Sequence, residues 1–335
     1  MKLSRLGEFA LIEKIRRTTP SGRGVLLGIG DDAAWVESKS GSILITSDLL
    51  LQDVHFKLQW TSLFALGHKA LAVNLSDIAA MGGKPAYVIL ALGIPPDFSS
   101  NQVSQFYRGI NSLCSKAGVT LVGGDTNVAK SLIISVCVIG HAIWTPVRRS
   151  GAQVGNDIYV TGTLGDSSLG LKLLKSGRWR SNRGFAAYLV SRHRQPTPRV
   201  VVGEVVARER LATAMIDISD GLVQDLGHIC SASGLGAEIW RDKLPLSPAY
   251  RAITGKDGAC HALSGGEDYE LLFCARKRDR TRLANLSKQS KVPITRIGRC
   301  LADKKGVAVL DHLGKAVSIP IKGYDHFRNG SRCAK

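Results

Sequence analysis

Aspartate recurs in this sequence where apolar stretches stop. Asp31 and Asp32, Asp48, Asp125, Asp217 and Asp220 each close such a stretch or sit in the turn after it. Asp77 lies instead inside an otherwise apolar helical run, with Asn74, Val73 and Ala70 three, four and seven positions before it. A buried carboxylate without a partner costs several kcal/mol, so each of these needs a compensating group. Turns and caps account for single aspartates at strand ends, but not for Asp77. Few basic residues stand beside these acids in sequence, which points to bound cations. Hard oxygen donors without a Cys or His cluster favour magnesium over zinc or copper.

Glycine accompanies the acids at Gly28-Ile29-Gly30-Asp31-Asp32, Gly123-Gly124-Asp125, Gly162-Thr163-Leu164-Gly165-Asp166 and Gly265-Gly266-Glu267-Asp268. Glycine lets backbone N–H groups approach a phosphate, and magnesium commonly shares its ligands between carboxylates and substrate phosphates. The combination reads as a nucleotide-phosphate site. Two more familiar nucleotide signatures are absent. Gly28-x-Gly30-x-x-Ala33 has the dinucleotide-binding spacing, but Asp31 and Asp32 would repel a pyrophosphate and no helix follows. Gly82-Gly83-Lys84 runs straight into Pro85, so there is no P-loop.

The elements that must position these residues alternate. The spacing predicts strands over 42–47, 86–94, 119–122 and 132–143, with helices over 61–81 and 101–117, making the first part an α/β unit. After a connector at Arg148-Arg149-Ser150-Gly151, strands are expected at 157–162, 214–218, 267–275, 295–300 and 307–310, with helices over 167–176, 199–210 and 222–233. The 335 residues fit two domains, divided here as 1–147 and 148–335. Hydrophobic residues at 44% and charged residues at 21% are ordinary for globular proteins. Disorder is expected only after Arg328. No apolar run is long enough for a membrane helix, and no signal-peptide core opens the chain, so a cytoplasmic protein is expected. The seven cysteines show no metal or disulfide spacing and read as buried core thiols. The net charge of +18 concentrates at 178–183, 192–194 and 276–280. These clusters lie apart without aromatic interleaving, which argues against nucleic acid as the main partner.

Leu27-Gly28-Ile29-Gly30-Asp31-Asp32-Ala33, Thr46-Ser47-Asp48, the segment 69–82, Gly123-Gly124-Asp125, Arg149-Ser150-Gly151, Asp217-Ile218-Ser219-Asp220-Gly221-Leu222, the segment 264–270 and Gly323-Tyr324-Asp325-His326-Phe327 resemble thiamine-monophosphate kinases in order and spacing. The likeness runs from Gly7 to Phe327. It implies an α/β (α+β) fold of the aminoimidazole ribonucleotide synthetase type, with an N-terminal domain that binds ATP and magnesium and dimerises. It implies, too, a C-terminal domain that closes over nucleotide and substrate. It further implies several Mg2+ ions held by Asp32, Thr46, Ser47, Asp48, Asp77, Asp125 and Asp217, with Asp220 holding a further one. ATP contacts fall on Gly124, Asp125, Arg149 and Ser219, and contacts to thiamine monophosphate on His55, Glu267 and Tyr324. Some relatives carry Thr where this chain has Ser47; a hydroxyl survives. Read alone, His55 is equally a structural imidazole, Glu267 a strand start and Tyr324 core.

The chemistry so implied is an ATP-dependent phosphoryl transfer onto thiamine monophosphate, giving thiamine diphosphate and ADP. The attacking phosphate oxygen has a second pKa near ~6 and is mostly ionised at neutral pH. No general base is called for, and the eight histidines form no catalytic pair. A related synthetase acting on another substrate, and a basic binding module with a vestigial nucleotide fold, fit less well. The first cysteine is Cys114, too late for a selenophosphate synthetase, and no expected carboxylate is missing.

Overall fold

The computed structural model describes residues 8–19, 22–39, 41–177, 184–255, 259–303, 306–319 and 323–324. Gly7, the basic cluster at 178–183, Asp325, His326, Phe327 and the tail after Arg328 lie outside the described residues.

The first half runs α1 (Glu8–Thr18), β1 (Val25–Leu27), β2 (Ala34–Ser38), β3 (Gly41–Leu51), α2 (Leu63–Ala80), β4 (Lys84–Ile94), α3 (Ser100–Ala117), β5 (Thr120–Val128) and β6 (Ile133–His141). Its six strands form one sheet in the order β1-β2-β3-β6-β4-β5. Only β4 and β5 pair in parallel; β6 runs antiparallel to both β3 and β4. The expected strand ending at 47 continues to Leu51, so Asp48 lies within β3. Residues 123–125 lie inside β5 rather than in a turn after it. Alternation along β3 sends Leu44, Thr46, Asp48 and Leu50 to one face and Ser47 and Leu49 to the other.

The second half runs β7 (Asp157–Thr161), α4 (Asp166–Ser176), α5 (Phe185–Arg194), α6 (Val200–Arg208), β8 (Ala214–Asp217), α7 (Leu222–Ser233), β9 (Gly236–Trp240), α8 (Pro248–Thr254), α9 (Cys260–Ser264), β10 (Leu271–Ala275), α10 (Arg280–Ser290), β11 (Ile294–Leu301) and β12 (Val307–Leu310). Its sheet has the order β12-β9-β11-β7-β10-β8. The strand expected from 267 starts only at Leu271, because Glu267 and Tyr269 take positive φ of 66° and 53°. Cys114, Cys230, Cys274 and Cys300 are free and buried, as core residues should be, and Cys137 is free and half-buried. No helix among the described residues is long and apolar enough to cross a membrane.

Helix α2 is the element that joins the halves. Ser62 caps it by accepting from Ala65 N–H at 3.2 Å, and Gly82 ends it at φ 69°. It is apolar nearly all round, as a helix enclosed on every side must be. Leu66, Ala70, Leu71, Leu75 and Ile78 pack with the first sheet and α3. Ala79 and Ala80 pack with Val202, Val206, Met215, Leu271 and Phe273 of the second half.

The α2–α3 crossing depends on glycine. A Cβ on Gly109 would stand 1.9 Å from the Phe64 carbonyl oxygen, and one on Gly67 2.1 Å from that of Phe106. Gly109→Ala must therefore part the helices, at a cost of roughly 1–3 kcal/mol. Scanning calorimetry is expected to show a melting temperature lower by several degrees; an unchanged value would refute the close crossing.

Candidate active site

Asp32, Asp77 and Asp217 converge from three elements: the turn before β2, the last turns of α2 and the end of β8. One carboxylate oxygen of each lies within 4.8 Å of the others. Asp32 and Asp217 are buried, while Asp77 keeps a solvent edge. Hydroxyls orient the acids. Thr46 Oγ1 donates to Asp77 Oδ2 at 2.6 Å, and Ser76 Oγ donates to Asp217 Oδ2 at 2.6 Å. Asp48 shares the Thr46 face of β3, its N–H donating to Asn74 Oδ1 of α2 at 3.0 Å.

So many acids in one place disfavour one another's ionisation. Burial, with the charges of Asp48, Asp217 and Asp32, raises the Asp77 pKa well above the usual range. Burial and then Asp32 push Asp217 up to about 8. Burial takes Asp48 to about 6, and burial with Asp32 takes Asp31 to about 6. Among the described residues, Arg149 pairs with this group. Its NH2 donates to Asp32 Oδ1 at 2.9 Å and its Nε to Oδ2 at 3.3 Å, while its backbone N–H reaches Asp31 Oδ2 at 3.2 Å. Burial opposes the Arg149 charge, but Asp32, Asp31 and Asp217 outweigh it and raise its pKa. One guanidinium cannot balance this set, and oxygen donors at this spacing suit magnesium.

A second acidic group lies just beyond β8. Asp220, Asp225 and His228 offer ligand atoms within 4.8 Å of one another. Asp225 also caps α7, its Oδ2 accepting from Gly221 N–H at 2.9 Å and Asp220 N–H at 3.2 Å. Burial, then the Arg149 charge, hold His228 down to about 4, and its ring meets Phe9 at 4.4 Å.

Beside these groups the 264–270 segment folds against the end of β8. Glu267 N–H donates to Ser219 O at 2.8 Å and Tyr269 N–H to Ile218 O at 2.9 Å. Gly266 is obligatory there, because a Cβ would stand 2.2 Å from Ser219 O. Glu270 is fully buried between Arg192 and Arg199. Glu267 Oε1 lies 2.6 Å from Lys69 Nζ of α2.

The family model of AIR synthase related protein, N-terminal domain, matches residues 30–142, and that of its C-terminal domain residues 153–311. The thiamine-monophosphate kinase of Salmonella typhimurium is 41% identical over 325 residues, covering 96% of this chain and 98% of that protein. That of Bacillus subtilis is 35% identical over 327 residues, covering 96% and 100%. The chain belongs to the thiamine-monophosphate kinase family. A solved structure of AaThiL complexed with AMPPCP and TMP superposes with a TM-score of 0.85 at 38% identity, covering 97% of this chain and 99% of that one.

Against that kinase family, the structure brings Asp32, Thr46, Asp48, Asp77, Asp217 and Arg149 to one place, with Ser219 and Asp220 following directly on Asp217. Tyr324 lies against Asp220, donating its N–H to Asp220 O at 3.2 Å, while its carbonyl accepts from Gln224 Nε2 at 2.6 Å. His55 Nδ1 accepts from Leu51 N–H at 3.0 Å. Three expected residues are not brought in. Ser47 Oγ donates to Val136 O at 3.1 Å on the opposite face of the sheet. Gly124 and Asp125 lie on the edge strand β5, three strand steps from β3, or roughly 14 Å at ~4.8 Å per step. Gly124 is required there by packing, since a Cβ would stand 1.7 Å from Leu90 O.

Sequence reasoning missed Lys69, Asp225, His193 and His228. Asp225 and His228 share a face of α7 at three-residue spacing, five and eight positions after Asp220, which was readable. Lys69 sits in the same apolar helix as Asp77 and answers to the same argument. Nothing local marks His193.

Proposed function

We infer that the protein transfers the γ-phosphoryl group of ATP directly to thiamine monophosphate, giving thiamine diphosphate and ADP. The observation that carries this reading is the convergence of Asp32, Asp77 and Asp217 from both halves within 4.8 Å, in a chain so similar to thiamine-monophosphate kinases. The acceptor oxygen is already ionised at neutral pH, so the barrier is repulsion between two phosphate anions rather than proton removal. Asp32, Asp48, Asp77 and Asp217, with Thr46, would hold magnesium, and Asp220 a further ion. Bound magnesium supplies positive charge that neutralises and aligns the phosphates. Thr46 and Ser76 fix the carboxylates by hydrogen bonds, and the Arg149 fork suits two phosphate oxygens. His55, Glu267 and Tyr324 contact the acceptor. Residues 1–147 form the ATP and magnesium domain; 148–335 close over nucleotide and substrate. The location is cytoplasmic.

The reading includes a homodimer through the outer face of the first sheet. Leu49, Tyr87 and Ile89 are 51%, 46% and 40% exposed there, an apolar surface that a second copy would cover. Ser47 and Asp125 share this face, and we assign Asp125, with Gly124, to the nucleotide in the assembled dimer. Ile89→Asp is expected to sediment as a monomer; a wild-type monomer at micromolar concentration would refute the dimer.

The activity is tested by incubating the protein with ATP, Mg2+ and thiamine monophosphate and separating products by chromatography. Thiamine diphosphate and ADP in equal amounts are expected, with free thiamine left unconverted. Binding of ATP without conversion of thiamine monophosphate would overturn the acceptor.

A further inference from the structure

Behind the Glu267 carboxylate stands a cation that the phosphate chemistry does not use. Lys69 projects from α2 eight residues before Asp77, or about 12 Å along the helix axis. Its side chain is 4% exposed, and its Nζ lies 2.6 Å from Glu267 Oε1. Among the described residues no other ion pair or hydrogen bond reaches this ammonium. A buried lysine is costly unless paired, so helix burial and the ion pair together fix where Glu267 can be.

The second carboxylate oxygen is held as well. His193 Nδ1 of α5 lies 3.2 Å from Glu267 Oε2, with Ser167 Oγ 3.1 Å from the same nitrogen. Burial, aided by the Lys69 charge, pushes His193 down to about 3. It is neutral at physiological pH and meets the carboxylate as an N–H donor. For Glu267, burial works to raise the pKa, but the Lys69 ammonium outweighs it and holds the carboxyl below its usual range.

The backbone contributes too. Glu267 sits at φ 66°, a left-handed conformation that non-glycine residues adopt only when their surroundings impose it. Its side chain stays 27% exposed while Lys69 behind it is enclosed. The cavity on the Lys69 side, lined by Phe56, Trp60, Lys69 and His193, holds about 10 Å³, room for one water. A ligand therefore meets Glu267 from its exposed edge, and Lys69 acts through Glu267.

We propose that Lys69 is a positioning residue for acceptor recognition: with His193 it fixes the ionised edge of Glu267 for the positively charged ring system of thiamine monophosphate. This rests on Glu267 contacting the acceptor, as proposed above. The role differs from that of Asp77 on the same helix. One end of α2 serves the metal and phosphates, the other the rings.

Lys69→Met, Lys69→Arg and Glu267→Gln, each as the full chain, separate the possibilities by their Michaelis constants for the two substrates. Lys69→Met is expected to raise KM for thiamine monophosphate by about ten-fold or more, with KM for ATP within about two-fold. Lys69→Arg should recover most of the loss, and Glu267→Gln should lose at least as much as Lys69→Met. A rise in both KM values alike, or a lowered melting temperature with both unchanged, makes Lys69 merely structural and overturns the proposal. If Glu267→Gln raises KM for thiamine monophosphate and Lys69→Met does not, the Lys69 role falls while the Glu267 contact stands. If Glu267→Gln changes nothing, both fall. Should Lys69→Met not fold, His193→Leu carries the same test from the other oxygen, with the same selective rise expected.

Discussion

Asp77→Asn is expected to lower kcat by about 10³-fold, a loss on the scale of removing one preorganised charge-stabilising group. It should also raise the melting temperature of the metal-free protein. The two effects share one cause. Asp77 sits within 4.8 Å of Asp32 and Asp217, and its ionisation is resisted by burial and by Asp48, Asp217 and Asp32. Asparagine keeps the shape and can still accept from Thr46, but removes one negative charge from a group that has too many. Without metal, that relieves repulsion; with magnesium, it removes a ligand and part of the charge that draws the ion in. Steady-state kinetics across a magnesium titration, with calorimetry in chelator, reads both. Activity within ten-fold of wild type would mean that Asp77 is not a metal ligand. A lower metal-free melting temperature would mean the cluster is not charge-strained.

The metal-free protein is also expected to lose stability as pH rises, and magnesium to restore it. Asp48 and Asp31 have pKa values raised to about 6 and Asp217 to about 8 in the fold, against roughly 3.9 in the unfolded chain. Between those values the folded protein holds protons that the unfolded chain has released, so stability falls with rising pH. The contribution is complete below about pH 4 and is lost as pH passes about 6 and then about 8. Magnesium replaces the protons, so the gain in melting temperature on adding it should be larger near pH 8 than near pH 6. Thermal melts in chelator and in magnesium check this. An equal gain at both pH values would contradict a proton-for-metal exchange at these carboxylates.

The sequence made legible those elements whose pattern is local. The span of α7 and of β12 follows from periodicity and flanking glycine, and Asp77 stood out because its helix gives it no local partner. The reach of β3 past Asp48 was not legible, because Thr46, Ser47 and Asp48 break the apolar pattern that marks a strand; the pairing with β6 keeps it extended. Gly123 and Gly124 read as a turn for the same reason, yet the parallel partner β4 holds them in a strand. The positive φ of Glu267 is imposed by contacts with Ser219 and Lys69, remote in sequence. The excess positive charge is partly legible only in three dimensions: Arg192 and Arg199 surround buried Glu270, and Arg280 and Arg296 flank buried Asp157.

The central claim is that this site passes a phosphoryl group from ATP straight to thiamine monophosphate. Following the γ-phosphorus of labelled ATP tests it most directly. The account predicts label in the terminal phosphate of thiamine diphosphate, one for each ADP formed, with none retained on the protein. Label appearing in inorganic phosphate while thiamine monophosphate stays unchanged, or carried on the protein, would contradict it.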